Sequence, residues 1–255
     1  MKPICRALLF SAVASLIAFG ACAQQSSSST DQAPTQTTTQ STAQSLPDSP
    51  DATAHVSPQP TGPTVVFDTS MGRMTCKLFS KEAPNTVANF IGLAEGSKDW
   101  TNPATHQKMH NTPLYDGTAF HRVIPDFMVQ GGDPLGNGMG DPGYYINDEF
   151  DPDLNFDVPG RLAMANSGPN TDGSQFFVTV APYDSLDQHY TIFGQCDPHS
   201  VLVAQSITEV ERDAHDKPLQ PVILNKVTVV QDGQPIPPLP SNPASAAAPT
   251  TNPQQ

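Results

Sequence analysis

The chain has 255 residues, 27 of them proline, and a formal net charge of −13. That acidity argues against nucleic acid as a partner, because phosphate neutralisation needs a basic surface; the charge itself reads as a solubility feature. The low charged fraction, 15%, and the biased ends point to one globular centre between two low-complexity flanks.

Residues 1–22 read as a targeting segment. Lys2 and Arg6 make a short positive region, and the apolar run Ala7–Ala21 is shorter than the about 20 residues that cross a bilayer. The run ends in Phe19-Gly20-Ala21-Cys22, which resembles a bacterial lipobox, where the cysteine is acylated and becomes the mature N-terminus; Phe19 stands where leucine is usual. Lipidation of Cys22 is the preferred reading. Ala21-Cys22-Ala23 is also an A-x-A site for secretory cleavage after Ala23, and an uncleaved anchor is a third reading. Each places the globular part outside the cytoplasm. Residues 23–62 are Ser, Thr, Gln, Ala and Pro with almost no large apolar side chain, so a disordered tether is expected. Its ~40 residues would reach roughly 35 Å.

The globular part begins with a hairpin: Val65–Asp68, a turn at Ser70-Met71-Gly72, then Met74, Cys76 and Leu78 alternating inward. Ala83–Gly96 is a predicted helix, with Pro84 at its first position, Val87, Phe90, Ile91 and Ala94 at helical spacing, and Gly96 as its end. Ser97–Asp116 is polar and turn-rich, a surface loop. His106 and His110 are four apart but lack a third ligand at suitable spacing, so no metal site is expected. The glycines from Gly131 to Gly138 follow no phosphate-loop pattern, and the acidic run Asp141–Asp157 lacks the residue order of a calcium loop. A strand is expected near Tyr190–Gly194, a second helix after Asp197-Pro198, and a last β-branched strand over Val222–Val230. Many short strands and two helices suggest an all-β barrel closed at its ends. From Gln231 the chain is proline-rich, and residues 231–255 are expected to be a disordered tail. Cys76 and Cys196 remain after export, either as a disulfide or as two buried thiols.

Two stretches organise this centre, FHRVIPDFMVQGGDP (Phe120–Pro134) and MANSGPNTDGSQFFVTV (Met164–Val180). In the first, a period of two puts Phe120, Arg122 and Ile124 on one face of a strand and His121 and Val123 on the other. A charge on an apolar face must be paired or solvated. In the second, Gln175 and Phe177 share one face, and Phe176 and Val178 the other. Together the stretches offer an apolar patch of Phe127, Met128 and Phe177 beside one cation and two amides, Gln130 and Gln175. Such a patch suits a small apolar ring with one hydrogen bond donated next to it.

At these residues the sequence resembles the cyclophilins, the peptidyl-prolyl cis-trans isomerases, over about Pro63 to Val230. The resemblance implies an all-β fold for residues 63–230, a closed eight-stranded antiparallel barrel capped by two α-helices, with the site on its outer surface. It implies rotation of X-Pro bonds in proline-containing polypeptide clients, with no cofactor and no metal. No bond breaks, so a catalyst need only favour the twisted amide over both planar forms. In the twisted state the prolyl nitrogen regains its lone pair, and Arg122 is the candidate donor to it. Phe127, Met128, Phe177 and Leu186 would hold the proline ring. Gln130 and the backbone around Ala165 and Asn166 would hold the flanking peptide, with Gln175 nearby. Three positions depart from the family. Asp126 stands where glycine is usual, at a turn requiring positive φ, which Asp tolerates. Ser185 stands where eukaryotic members have a tryptophan at the pocket rim, and Tyr190 where a pocket histidine is common. The alternative function is a proline-peptide binding module or holdase with incidental turnover. A monomer is the default expectation.

Overall fold

The computed structural model describes residues 57–239. The targeting segment with Cys22, residues 23–56 of the tether and residues 240–255 of the tail lie outside the described residues.

The first hairpin joins β1 (Thr64–Thr69) to β2 (Gly72–Leu78). Thr69 closes its turn: its hydroxyl donates to the Gly72 carbonyl at 2.6 Å and accepts from the Met71 N–H at 3.1 Å. Helix α1 (Pro84–Glu95) follows, with Pro84 in its first turn and Gly96 ending it at φ 76°. Ala83 offers α1 no side-chain cap, and the remote Glu149 takes that part. Its two carboxylate oxygens accept the N–H groups of Asn85 at 3.1 Å and Thr86 at 2.7 Å, at the positive end of the helix dipole.

The stretch expected to be a loop contains a small two-stranded ladder, β3 (Trp100–Thr101) with β4 (Lys108–Met109). Trp100 ties it down by burying its ring and donating its indole N–H to the Thr112 carbonyl at 2.8 Å. The remaining strands are β5 (Ala119–Phe120), β6 (Arg122–Ile124), β7 (Met128–Gly131), β8 (Arg161–Met164), β9 (Phe176–Thr179), β10 (Ile192–Cys196) and β11 (Val222–Val230). Helix α2 (Pro198–Thr208) lies between the last two, capped by the Asp197 carboxylate, which accepts the Ser200 N–H at 2.7 Å.

The main sheet has nine strands in the order β5-β11-β1-β2-β10-β8-β9-β7-β6, and every ladder is antiparallel. Its two terminal strands, β5 and β6, are separated only by His121, so the sheet closes on itself through that residue. Counted as one bent strand they reduce nine to eight, the expected barrel.

The bend corrects one expectation. Phe120 does not share a face with Arg122 and Ile124. Phe120 and Val123 both point into the interior cluster, Arg122 is exposed, and Ile124 packs on the outer cluster. The period of two breaks because the chain changes partner at His121, leaving β11 for β7, with the His121 N–H bonded to the Gln130 carbonyl at 3.0 Å.

Two apolar clusters result. The interior one is aromatic, built on Phe67, Phe90, Tyr115, Phe120, Phe176 and Phe193, with apolar residues of α1 and α2 completing it. The second comprises Phe79, Met128, Leu154, Phe156, Ala163, Phe177 and Ile192. Alternation along β9 divides them: Phe176 and Val178 face inward, Phe177 outward. Cys76 and Cys196, register partners on β2 and β10, form a disulfide.

Both flanks begin with contacts to the barrel. Ser57 accepts a hydrogen bond from buried Arg161 at 2.8 Å, and the Gly62 N–H donates to the Leu78 carbonyl. After β11, Arg73 donates to the carbonyls of Pro237 at 2.6 Å and Pro238 at 3.2 Å while its other side pairs with Asp68. The first residues of the expected tail therefore lie against the barrel. No helix among the described residues is long and apolar enough to cross a membrane.

Candidate active site

The site lies on the second apolar cluster, outside the barrel. Strands β6 and β7 join through a tight turn, in which Pro125 presets its own φ and Asp126 sits at φ 58°. The turn closes with the Phe127 N–H bonded to the Ile124 carbonyl at 3.2 Å. Antiparallel register then sets Arg122 opposite Gln130 and Gln130 opposite Phe177.

A depression of about 190 Å³ opens there, lined by Arg122, Phe127, Met128, Gln130, Ala165, Asn166, Phe177, Leu186 and Tyr190. Its floor is apolar and nearly covered, Met128 being 2% and Phe177 5% exposed. Phe156 stacks beneath Phe177 at a ring distance of 5.8 Å, and Tyr190 meets Phe177 edge-on at 5.4 Å. Leu186 is presented by a 3₁₀ turn, Asp184–Leu186, whose Ser185 is exposed.

Arg122 is the cation at this rim, and it makes no ion pair among the described residues. Its Nη1 lies 3.5 Å from the Gln130 side-chain oxygen. Gln130 in turn donates to Gln175 at 3.0 Å, and Gln175 donates to the carbonyls of Gly138 at 3.0 Å and Gly140 at 2.9 Å. Gln175, grouped with the site from its sequence, is therefore behind the depression. It lines a neighbouring cavity of about 260 Å³ with Gln130, Ala165, Asn166, Asp141 and Tyr145.

The loop that carries Gly138 and Gly140 is wound on Asp133. Its carboxylate is almost fully buried and accepts the N–H groups of Leu135, Asn137 and Gly138. Burial pushes this carboxyl up, but the N–H groups of Leu135, Asn137, Gly138 and Gly140 together outweigh burial and hold it below its usual range. Gly140 approaches so closely that a Cβ there would overlap the Asp133 carboxylate. His121, behind Arg122, has its pKa lowered chiefly by burial, so its imidazole is neutral near pH 7 and adds no charge beside the arginine.

Reading the sequence missed Asp133, Tyr145 and the contact of Tyr183 with Phe127, whose rings are tilted at 37° with centroids 4.4 Å apart. Only Asp133 carried a signal: an acid among glycines, next to a signature strand. Among the described residues no group of three or more His, Cys, Asp or Glu side chains is placed to hold a metal ion. His110 is engaged by Asp99 at 2.7 Å.

A closed antiparallel barrel with two helices and an apolar, arginine-rimmed depression on its outer wall defines the cyclophilin class. Residues 64–229 match the family model of the cyclophilin type peptidyl-prolyl cis-trans isomerase/CLD, and the chain belongs to this family. It is 47% identical over 167 residues to peptidyl-prolyl cis-trans isomerase A of Mycobacterium tuberculosis, covering 65% of this chain and 91% of that protein. It is 48% identical over 164 residues to peptidyl-prolyl cis-trans isomerase B of Streptomyces anulatus, covering 63% of this chain and 93% of that one. In three dimensions it resembles the Cryptosporidium parvum cyclophilin type peptidyl-prolyl cis-trans isomerase with a TM-score of 0.58 at 31% identity, covering 68% of this chain and 99% of the other. The protein is a peptidyl-prolyl cis-trans isomerase.

Proposed function

We propose that the isomerase turns X-Pro bonds of exported client polypeptides by donating a hydrogen bond from Arg122 to the prolyl nitrogen. The observation that carries this reading is an arginine with no carboxylate partner among the described residues, held beside a covered apolar floor in a depression of about 190 Å³. The barrier of ~18–20 kcal/mol comes from amide resonance. As the amide twists, resonance is lost and the nitrogen becomes an acceptor. A guanidinium aimed at it pairs with the twisted state and gains little from either planar state, which is differential binding of the transition state. Proline packs on Phe127, Met128, Phe177, Leu186 and Tyr190. Gln130, with the backbone at Ala165 and Asn166, holds the flanking peptide.

A proline-peptide isomerisation assay on the purified protein tests the reading, with Arg122→Ala as its control. Lost turnover with retained peptide binding supports it, whereas unchanged turnover in the variant removes Arg122 from the mechanism. The rival reading, a binding module or holdase, requires only the floor. It is favoured if binding and aggregation suppression are strong while catalysed exchange is absent.

For the cellular setting we propose export, with acylation of Cys22 anchoring a monomer to the bacterial envelope. The support is the apolar run ending in Phe19-Gly20-Ala21-Cys22. Mass spectrometry of the mature N-terminus decides it: a lipid-modified Cys22 supports the anchor, and a peptide beginning at Gln24 supports a soluble exported form.

A further inference from the structure

On the other side of Arg122 from the apolar floor lies a second cavity, of about 430 Å³. It shares Arg122 and Gln130 with the depression over that floor, so the two adjoin. Its far wall is the loop after α2, which brings Asp213, His215 and Lys217 to face His121 and Arg122.

This loop is fixed in place. The Val123 N–H of β6 donates to the Asp216 carbonyl at 2.8 Å, and the Lys217 ammonium donates to the Gly136 carbonyl at 2.8 Å. The Asp213 carboxylate is turned into its own loop, accepting the N–H groups of His215 at 2.8 Å and Lys217 at 3.0 Å. Lys217 forms no ion pair among the described residues, and neither does Arg122. The cavity therefore carries two permanent cations, Arg122 and Lys217, against one carboxylate occupied by backbone donors. That is a local excess of positive charge on a chain whose formal net charge is −13.

We propose that this cavity is a specificity subsite for an acidic side chain, aspartate or glutamate, of the client. That residue lies within a few positions of the proline, on the arm of the peptide that leaves past Arg122 rather than past Ala165 and Asn166. An extended chain advances about 3.3 Å per residue, so the second or third residue from the proline reaches a cavity adjoining the ring pocket. Lys217 attracts the carboxylate, and His215 offers it a ring N–H donor. Arg122 stays aimed at the prolyl nitrogen and contributes through its charge. The inference rests on the isomerase reading of the adjoining depression.

The test is a set of synthetic peptides with one proline and either glutamate or lysine at each of the three positions on either side. Exchange and binding are followed together by NMR on the full chain. At low ionic strength one position is expected to favour glutamate over lysine about five-fold or more in kcat/KM, the gap narrowing as salt shortens the Debye length. Lys217→Glu should reverse that ratio. Because Lys217 also holds Gly136, His215→Glu is made as well; it leaves that hydrogen bond intact and should reduce the same ratio. Equal rates for both peptide sets at every position, with turnover intact, overturn the subsite and leave the isomerase standing. If no peptide is turned over, the isomerase mechanism fails on its own. The glutamate-to-lysine ratio of binding constants from the same titrations then still decides the subsite.

Discussion

Arg122 and Gln130 are register partners across the β6–β7 ladder, and the guanidinium reaches the Gln130 oxygen at 3.5 Å without touching a carboxylate. Gln130 is itself held by Gln175, and Gln175 by two carbonyls of the loop wound on Asp133. The donor is thus steered by a row of neutral amides. A carboxylate in their place would bind the guanidinium more tightly and, in the proposed mechanism, compete with the prolyl nitrogen for it.

The Arg122→Ala protein should fold and lose about 10²-fold or more in turnover, the usual loss on removing one aimed donor. Arg122→Lys should recover little, since an ammonium does not reproduce the planar fork. Gln130→Ala should fall between that variant and the unmodified protein. A Gln130→Ala loss as large as that of Arg122→Ala would mean that the amide, rather than the guanidinium, meets the substrate.

Two buried aspartates near the site respond to pH with opposite signs. Among the described residues Asp172 makes no ion pair; burial pushes its carboxyl up to about 6, with the charges of Asp148 and Glu149 adding to the rise against the Thr191 and Asn166 side chains. A folded pKa above the unfolded value means the native state binds the proton more tightly. Asp172 therefore lowers stability above about pH 6, and the loss is relieved as pH falls from 6 towards 4. Asp133, with its pKa lowered, contributes in the reverse sense: its stabilisation is present above about pH 4 and disappears on further acidification. Asp172→Asn, which can still accept from Thr191, should stabilise the protein by about 1–3 kcal/mol at pH 7 and by little at pH 4. Denaturant melts at the two pH values check this; an equal change at both would assign the effect to packing.

The Cys76–Cys196 bridge closes a sequence separation of 120 residues. Restricting the unfolded chain over so long a loop is worth about 2–5 kcal/mol. Protein refolded under reductant should melt several degrees below the oxidised form, with similar turnover at low temperature because neither cysteine borders the depression beside Arg122. Coincident melting curves would show that the bridge adds nothing to the pairing of β2 with β10.

Cyclosporin should inhibit weakly. The resemblance puts Ser185 where cyclophilins sensitive to this cyclic peptide carry a rim tryptophan, and Ser185 is exposed beside Leu186. Loss of an aromatic surface, about 1.5–3 kcal/mol, and of one neutral hydrogen bond, about 0.5–1.5 kcal/mol, amounts to roughly ten- to a thousand-fold in affinity. Ser185→Trp should raise sensitivity far more than turnover. Tight inhibition of the unmodified protein in a titration would show that Tyr190 or Tyr183 already supplies the missing wall.

What was legible in the sequence was local. The alternation of Phe176 and Phe177 announced an inner and an outer face, Pro84 and Gly96 bounded a helix, and Asp126 marked a turn at positive φ. The two motifs supplied seven of the nine residues that line the depression beside Arg122, Leu186 and Tyr190 lying beyond them. What escaped depended on partners far along the chain. Phe120 left the face of Arg122 because two different strands pair on either side of His121, and spacing within one strand carries no trace of that. Glu149 caps a helix more than sixty positions earlier in the chain, and Arg73 holds the carbonyls of Pro237 and Pro238 from the opposite end of the barrel sequence. The choice between two thiols and a bridge waited on the register that sets Cys76 against Cys196. The loop that carries Lys217 is polar, short and without period, like any other surface turn.

The closure of the sheet at His121 bears on the company this protein keeps. An isomerase meets chains that are not yet folded, rich in unsatisfied backbone donors and acceptors that seek a strand to lie against. An open sheet would offer such a chain two ready templates, and each encounter would risk a lasting adduct. Here the first and last strands of the main sheet are consecutive pieces of one segment, so that wall has no margin to extend. On the reading proposed above, a client is left with side-chain contacts in shallow depressions, which release it once its proline has turned.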